Sequence, residues 1–133
     1  MPLATIVSAS TKITDQLSGV LAGEYEIELD NQLRAPNGLA SLLIIGEDIL
    51  GVNTHDEIKQ LVASYEDYGI PVILAWEDDC ADYRELAISL GCSDYLSPPL
   101  YASIVNAKCK TYVSLANLKQ RFSTKSAHSD QAC

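Results

Sequence analysis

Short apolar runs alternate with segments of helical period along this chain, and that rhythm admits few folds. Ala4-Thr-Ile-Val-Ser-Ala reads as a buried strand, and residues 11–22 follow with Ile13, Leu17, Val20 and Leu21 at helical spacing. Glu24-Tyr-Glu-Ile-Glu-Leu alternates strictly and predicts a half-exposed strand. Residues 30–39 hold Asn31, Pro36, Asn37 and Gly38 and leave room for a turn or two of helix at most. Leu42-Leu-Ile-Ile is a fully apolar strand ending at Gly46. Asp56 is placed to cap a helix reaching about Tyr68, with Ile58, Leu61, Val62 and Tyr65 on its inner face. Pro71-Val-Ile-Leu-Ala-Trp is the next buried strand. Asp78 or Asp79 is placed to cap a helix over residues 80–90, with Tyr83, Leu86, Ala87 and Leu90 inward and Gly91 as its stop. Asp94-Tyr-Leu is a short strand before Pro98-Pro99, and a long helix is expected from about 101 to 121. The order βαβ(α)βαβαβα implies a parallel sheet with helices on both faces, right-handed crossovers, and ligand sites at the carboxyl ends of the strands.

The 133 residues suffice for one domain, expected over 1–121, with 122–133 as a flexible tail or a linker to an output domain. No apolar run approaches a membrane span, and residues 1–10 lack the pattern of a signal peptide, so a cytoplasmic protein without membrane contact is expected. The net charge of −9 argues against nucleic acid held on a general basic face. That charge is unevenly placed. Residues 1–99 carry 17 acids and 4 bases, whereas residues 100–133 carry 1 acid and 5 bases. The basic C-terminal segment reads either as a solvated helix face or as a contact surface. Cys80, Cys92, Cys109 and Cys133 show no CxxC spacing and read as reduced, structural thiols.

The stretch from Pro71 to Leu100, with its Pro-Val-Ile strand, acidic turn, Leu90-Gly91, Ser93-Asp94-Tyr95-Leu96 and Pro99, closely resembles the second half of a response-regulator receiver domain of the CheY-like family. The likeness extends more weakly over residues 3–121. It implies a doubly wound α/β fold with a five-stranded parallel sheet in the order 2-1-3-4-5. A shortened second helix and a long C-terminal helix are further expected. It also implies a phosphotransfer site. Carboxylates after the first strand would hold magnesium, and an aspartate ending the third strand would accept phosphate. A hydroxyl residue after the fourth strand and a lysine before the proline after the fifth would complete the set. The chemistry needs hard oxygen ligands for the metal and a cation against the phosphate charge.

The sequence departs at each of those places. Ser8 and Ala9 stand where the acidic pair would be, Gly46 at the acceptor, Trp76 at the hydroxyl residue and Pro98 at the lysine. Catalytic residues, a bound metal and a cofactor are therefore not expected. Glu47 would leave the side of Gly46 by strand alternation. Glu77, Asp78, Asp79, Asp82 and Glu85 read as an acidic helix start rather than a metal site. Trp76 is expected to fill the vacated pocket or to wall a small-molecule site there. Tyr95, the family's switching aromatic, is either locked or partner-responsive. The resemblance suggests that the helix over 80–90, the fifth strand and the last helix form an interaction face, with Tyr95, Ile104, Lys108, Tyr112 and Leu115 on it. The end of the last helix is similar to segments that join receivers to nucleotide cyclase or kinase output domains. The expected function is a phosphorylation-independent signalling module that binds a protein partner or forms a homodimer. The alternatives are a small-molecule sensor and a receiver with a displaced acceptor.

Overall fold

The structure, a computed structural model, describes residues 1–132, with side chains described as far as Gln120. Five strands form it: β1 (Leu3–Val7), β2 (Glu26–Asp30), β3 (Leu42–Gly46), β4 (Val72–Ala75) and β5 (Asp94–Leu96). The α-helices are α1 (Thr11–Leu21), α2 (His55–Asp67), α3 (Arg84–Leu90) and α4 (Ala102–Ala132), and a 3-10 turn spans Glu47–Gly51. All strand pairs are parallel and the sheet order is β2-β1-β3-β4-β5, as the resemblance implied. Among the described residues no helix is long and apolar enough to cross a membrane.

Strand alternation divides the core into two layers. Ala4, Ile6, Leu42, Ile44, Ile73, Ala75 and Leu96 face α1 and α4, where Leu17, Leu21, Val105 and Cys109 meet them. Val7, Leu43, Ile45, Val72, Leu74 and Trp76 face α2 and α3, where Ile58, Val62, Ala87 and Leu90 close the second layer. Residues β1, β3 and β4 are apolar on both faces because both are covered. β2 is different. Tyr25 and Ile27 pack on the α1 side, whereas Glu26 and Glu28 are exposed on the other.

Several local expectations need correction. No helix forms between β2 and β3. Asp30 and Asn37 accept from Gln32 N and Leu39 N, and these turns compete with helical hydrogen bonding. The segment is tied down instead by Tyr65, whose hydroxyl donates to the Arg34 carbonyl at 2.9 Å, and by the Arg34–Asp30 ion pair. The cap of α2 is Thr54, not Asp56. Its hydroxyl accepts from Glu57 N while the Glu57 carboxylate accepts from Thr54 N, a reciprocal capping box. The helix expected over 80–90 begins only at Arg84, with no side-chain cap from Asp78 or Asp79. Asp78 accepts from Cys80 N and Asp82 from Arg84 N, so turns take the place of the first helical turns. The last helix, expected to about 121, extends from Ala102 to Ala132. No glycine or proline interrupts residues 101–133, and nothing in the sequence stops the helix.

Cys80 is exposed, Cys92 half-buried and Cys109 buried. Burial pushes the Cys92 and Cys109 thiols up to about 12, against the ordinary 9.0. Their contribution to stability is complete below the ordinary value and is lost as pH rises from there toward about 12. In a Cys133→Ser chain near neutral pH, a disulfide reagent is expected to modify Cys80 rapidly and the other two thiols only on denaturation. Rapid reaction of all three in the folded chain would contradict this packing.

Candidate functional site

β1 and β3 are neighbours in register, Val7 opposite Ile45, so the chain leaves the sheet with Ser8 beside Gly46. Ser8 is buried. The 3-10 turn that follows β3 then brings Asp48 back over the same point. Ser8 Oγ donates to Asp48 Oδ1 at 2.5 Å, and Ala9 N donates to Asp48 Oδ2 at 2.6 Å. These distances are those of charge-assisted bonds. Ser8 Oγ also accepts from Ser10 N at 3.0 Å, and Ser10 caps α1 through Ile13 N. One carboxylate thus ties the β1–α1 turn to the β3 turn.

Gly46 is required by this arrangement. A Cβ there would lie 2.6 Å from Ser8 Oγ, 2.7 Å from Ser8 Cβ and 2.7 Å from Asp48 Oδ1. The space in which an acceptor side chain would stand is occupied by Ser8 and Asp48. Of the two acids that follow Gly46 in the sequence, Glu47 and Asp48, it is Asp48 whose return to this point the sequence reading did not foresee. Alternation sends position 47 away from Gly46, and the tight turn returns position 48. The usable signal was a Gly-Glu-Asp turn ending a strand that lies beside Ser8.

Glu47 does leave that side. Its Oε1 accepts from Glu77 N at 3.3 Å, and the Tyr83 hydroxyl lies beside it. Burial, with the Glu47 charge adding to it, raises the Tyr83 hydroxyl above the ordinary range. The Glu77 side chain is only 10% exposed, and Lys12 Nζ stands 3.7 Å from its Oε2. Neither Glu77 oxygen receives a hydrogen bond among the described residues. Lys12 is therefore a cation at this rim that the sequence pattern did not single out. Pro98 lies half-buried beyond β5, joined to Pro99 by a cis peptide bond.

The strand alternation that sends Ala75 to the α1 side sends Trp76 to the α2–α3 layer, where it is 2% exposed. Its ring meets Tyr83 edge-on at 5.6 Å and stacks on Tyr95 at 5.7 Å. Tyr95 is held on its other contacts as well. Lys108 Nζ lies 4.5 Å from the centre of its ring, donates to its carbonyl at 2.8 Å, and stands 3.6 Å from Asp94. The Arg84 guanidinium lies beside its hydroxyl. Arg84 is in turn paired with Asp82 at 2.8 Å, and these hydrogen bonds hold the Asp82 carboxyl down at about 2. The Tyr112 hydroxyl is beside Asp94. Of the five residues assigned to the interaction face, Tyr95, Lys108 and Tyr112 brace the edge of the sheet, whereas Ile104 and Leu115 are 48% and 45% exposed.

Gly46→Ala is expected to lower the free energy of unfolding by about 1–3 kcal/mol, the range for forcing atoms into a packed site. Urea denaturation followed by Trp76 fluorescence measures it, and an unchanged midpoint would mean that Ser8 and Asp48 yield freely. In Lys108→Ala, acrylamide quenching of Trp76 is expected to rise as the Tyr95 ring loses its cover. Identical quenching in both chains would remove the lysine from the clamp.

No family model and no curated protein matches the chain. Solved structures do. A CheY-like response regulator receiver domain from Methanospirillum hungatei JF-1 superposes with a TM-score of 0.72 at 14% identity, covering 90% of this chain and 98% of that one. A response regulator receiver modulated diguanylate cyclase from Pelobacter carbinolicus gives 0.65 at 16% identity, covering 91% and 99%. NtrX from Brucella abortus, in complex with ADP, gives 0.70 at 20% identity; the match covers 93% of this chain but 29% of NtrX. The chain therefore has the fold of the response-regulator receiver domains, with a serine, a glycine and a returning aspartate at its strand ends.

Proposed function

We propose that the chain is a signalling module of two-component type that works without accepting phosphate. It acts in the cytoplasm by binding a protein partner or a second copy of itself, and serves an output domain of cyclase or kinase type. The observation that carries this reading is the position a Cβ of residue 46 would take, 2.6 Å from Ser8 Oγ and 2.7 Å from Asp48 Oδ1. Phosphoryl transfer needs an acceptor oxygen open to an in-line phosphoryl donor and a metal beside it. Asp48, the nearest carboxylate, spends both oxygens on Ser8 and Ala9. The binding face is the one made by α3, β5 and α4, where Ile88, Ile104 and Leu115 turn outward. Its aromatic, Tyr95, is clamped between Trp76 and Lys108, which suits a face kept in one state.

Incubation with acetyl phosphate and magnesium, followed by intact-mass measurement, tests the reading. The mass is expected to stay unchanged. A magnesium-dependent gain of one phosphoryl group, lost in Asp48→Asn or Glu47→Gln, would establish a displaced acceptor and overturn it.

A further inference from the structure

The two outer strands of the sheet, β2 and β5, end it differently. At β5, Lys108 lies over the Tyr95 ring and donates to its carbonyl. At β2 the backbone is open. Glu26 N donates to the Pro2 carbonyl and the Asp30 carbonyl accepts from Ser8 N, so the even-numbered residues of β2 turn their backbone groups toward β1. Strand alternation then turns the N–H and C=O of Ile27 and Leu29 outward, where they meet no partner among the described residues.

The side chains at this edge differ by face. Glu26 and Glu28 are exposed on the side that no helix covers, and neither has an ion-pair partner within 4 Å among the described residues. Glu28 accepts only a long bond there, from Thr5 Oγ1 at 3.4 Å. Beside Glu28 a cavity of about 60 Å³ opens between the sheet and residues 31–41, lined also by Asp30, Arg34 and Tyr65. Arg34 is committed to Asp30, which leaves Glu28 as the uncompensated charge at this cavity. On the opposite face of the strand, Leu29 is 55% exposed. A free edge is a template for a further strand, in which main-chain hydrogen bonds supply affinity and alternate side chains supply specificity.

We infer that the outer edge of β2 takes up an extended basic segment of another protein as an added strand, with cationic side chains over Glu26 and Glu28 and an apolar one beside Leu29. This surface lies on the opposite edge of the sheet from the α3–β5–α4 face and does not depend on it. Charge and alternation choose the occupant. Unpaired carboxylates on one face are complemented by cations directly across the strand pair, and Leu29 by an apolar side chain on the other face. The segment therefore alternates basic and apolar residues. A second copy does not fit. Antiparallel pairing of two β2 edges keeps like faces together and sets Glu26 and Glu28 against the same carboxylates, which destabilises the pair. The basic part of this chain is α4, which is helical rather than extended. The net charge of −9 further favours a cationic partner.

Fluorescence anisotropy of a labelled peptide of alternating lysine and valine, titrated with the full chain, tests the inference. Saturable binding that weakens with added salt is expected. In Glu26→Gln/Glu28→Gln the Kd is expected to rise about tenfold or more. Leu29→Pro removes an outward N–H and spares the ladder to β1, since an edge strand tolerates proline where its nitrogen faces solvent. Its Kd is expected to rise by a similar factor, and circular dichroism checks the fold of both variants. The same peptide with every backbone amide N-methylated keeps its charge and cannot pair as a strand. It is expected not to bind the wild type, a result that holds whether or not the proline variant folds. Failure of the unmodified peptide to bind would overturn the inference. Equal binding of the N-methylated peptide would overturn it too, and would reduce the contact to diffuse charge attraction. Unchanged binding in the glutamine variant would also overturn it, leaving Glu26 and Glu28 as guards of the edge against aggregation.

Discussion

A parallel sheet has to be covered on both sides, and the rest of this molecule follows from that requirement. β1, β3 and β4 turn apolar side chains to both faces, and Ala4, Leu42, Leu43, Ile73 and Leu74 are fully excluded from solvent. Each large aliphatic side chain so buried contributes about 1.5–3 kcal/mol. Helices must therefore lie on both faces over the middle of the sheet. Over β2 the requirement lapses on one side, because Glu26 and Glu28 occupy it. A helix packed there would have to bury carboxylates without partners, at a cost that no local propensity offsets. The missing helix between β2 and β3 and the acidic edge strand are two sides of one fact.

The strand ends that this scaffold brings together are joined by hydrogen bonds within the chain. Asp48 links the β1 and β3 turns, and Glu47 reaches the backbone after β4. On the far edge, Lys108 covers the ring of Tyr95 and takes its carbonyl, which blunts an edge strand only three residues long. A cation over an aromatic face contributes about 0.5–2 kcal/mol, more as it is desolvated. The upper edge and the β5 edge are thus both cross-braced by side chains.

Element order was legible because each segment's period and its flanking residues agreed. The parallel order of the strands came through the resemblance and stands in the structure. Boundaries were misread where side-chain hydrogen bonds to backbone compete with helix formation. At Asp78 and Asp82 the carboxylates close turns instead of capping a helix, and Thr54 outcompetes Asp56 through its partnership with Glu57. The departures from the receiver pattern at Ser8 and Gly46 could be read from residue types alone. The return of Asp48 could not, because it depends on a 3-10 turn whose only sequence trace is three residues long. The packing layer of Trp76 follows from alternation, which sends Ala75 to the α1 side and the indole ring to the α2–α3 side.

The contact of Ser8 and Asp48 over Gly46 also bears on how such a chain can change. An acidic side chain at position 46 cannot enter while both neighbours stand where they do, and removing either one alone breaks the short bond between them, leaving Asp48 with Ala9 N or Ser8 with Ser10 N. Residues coupled this closely do not substitute independently. Placing an acidic side chain at position 46 would take coordinated replacements at positions 8, 46 and 48, each harmful by itself. Such a site is ratcheted: packing closes it to single replacements, whereas exposed positions on the outer helix faces stay free to vary.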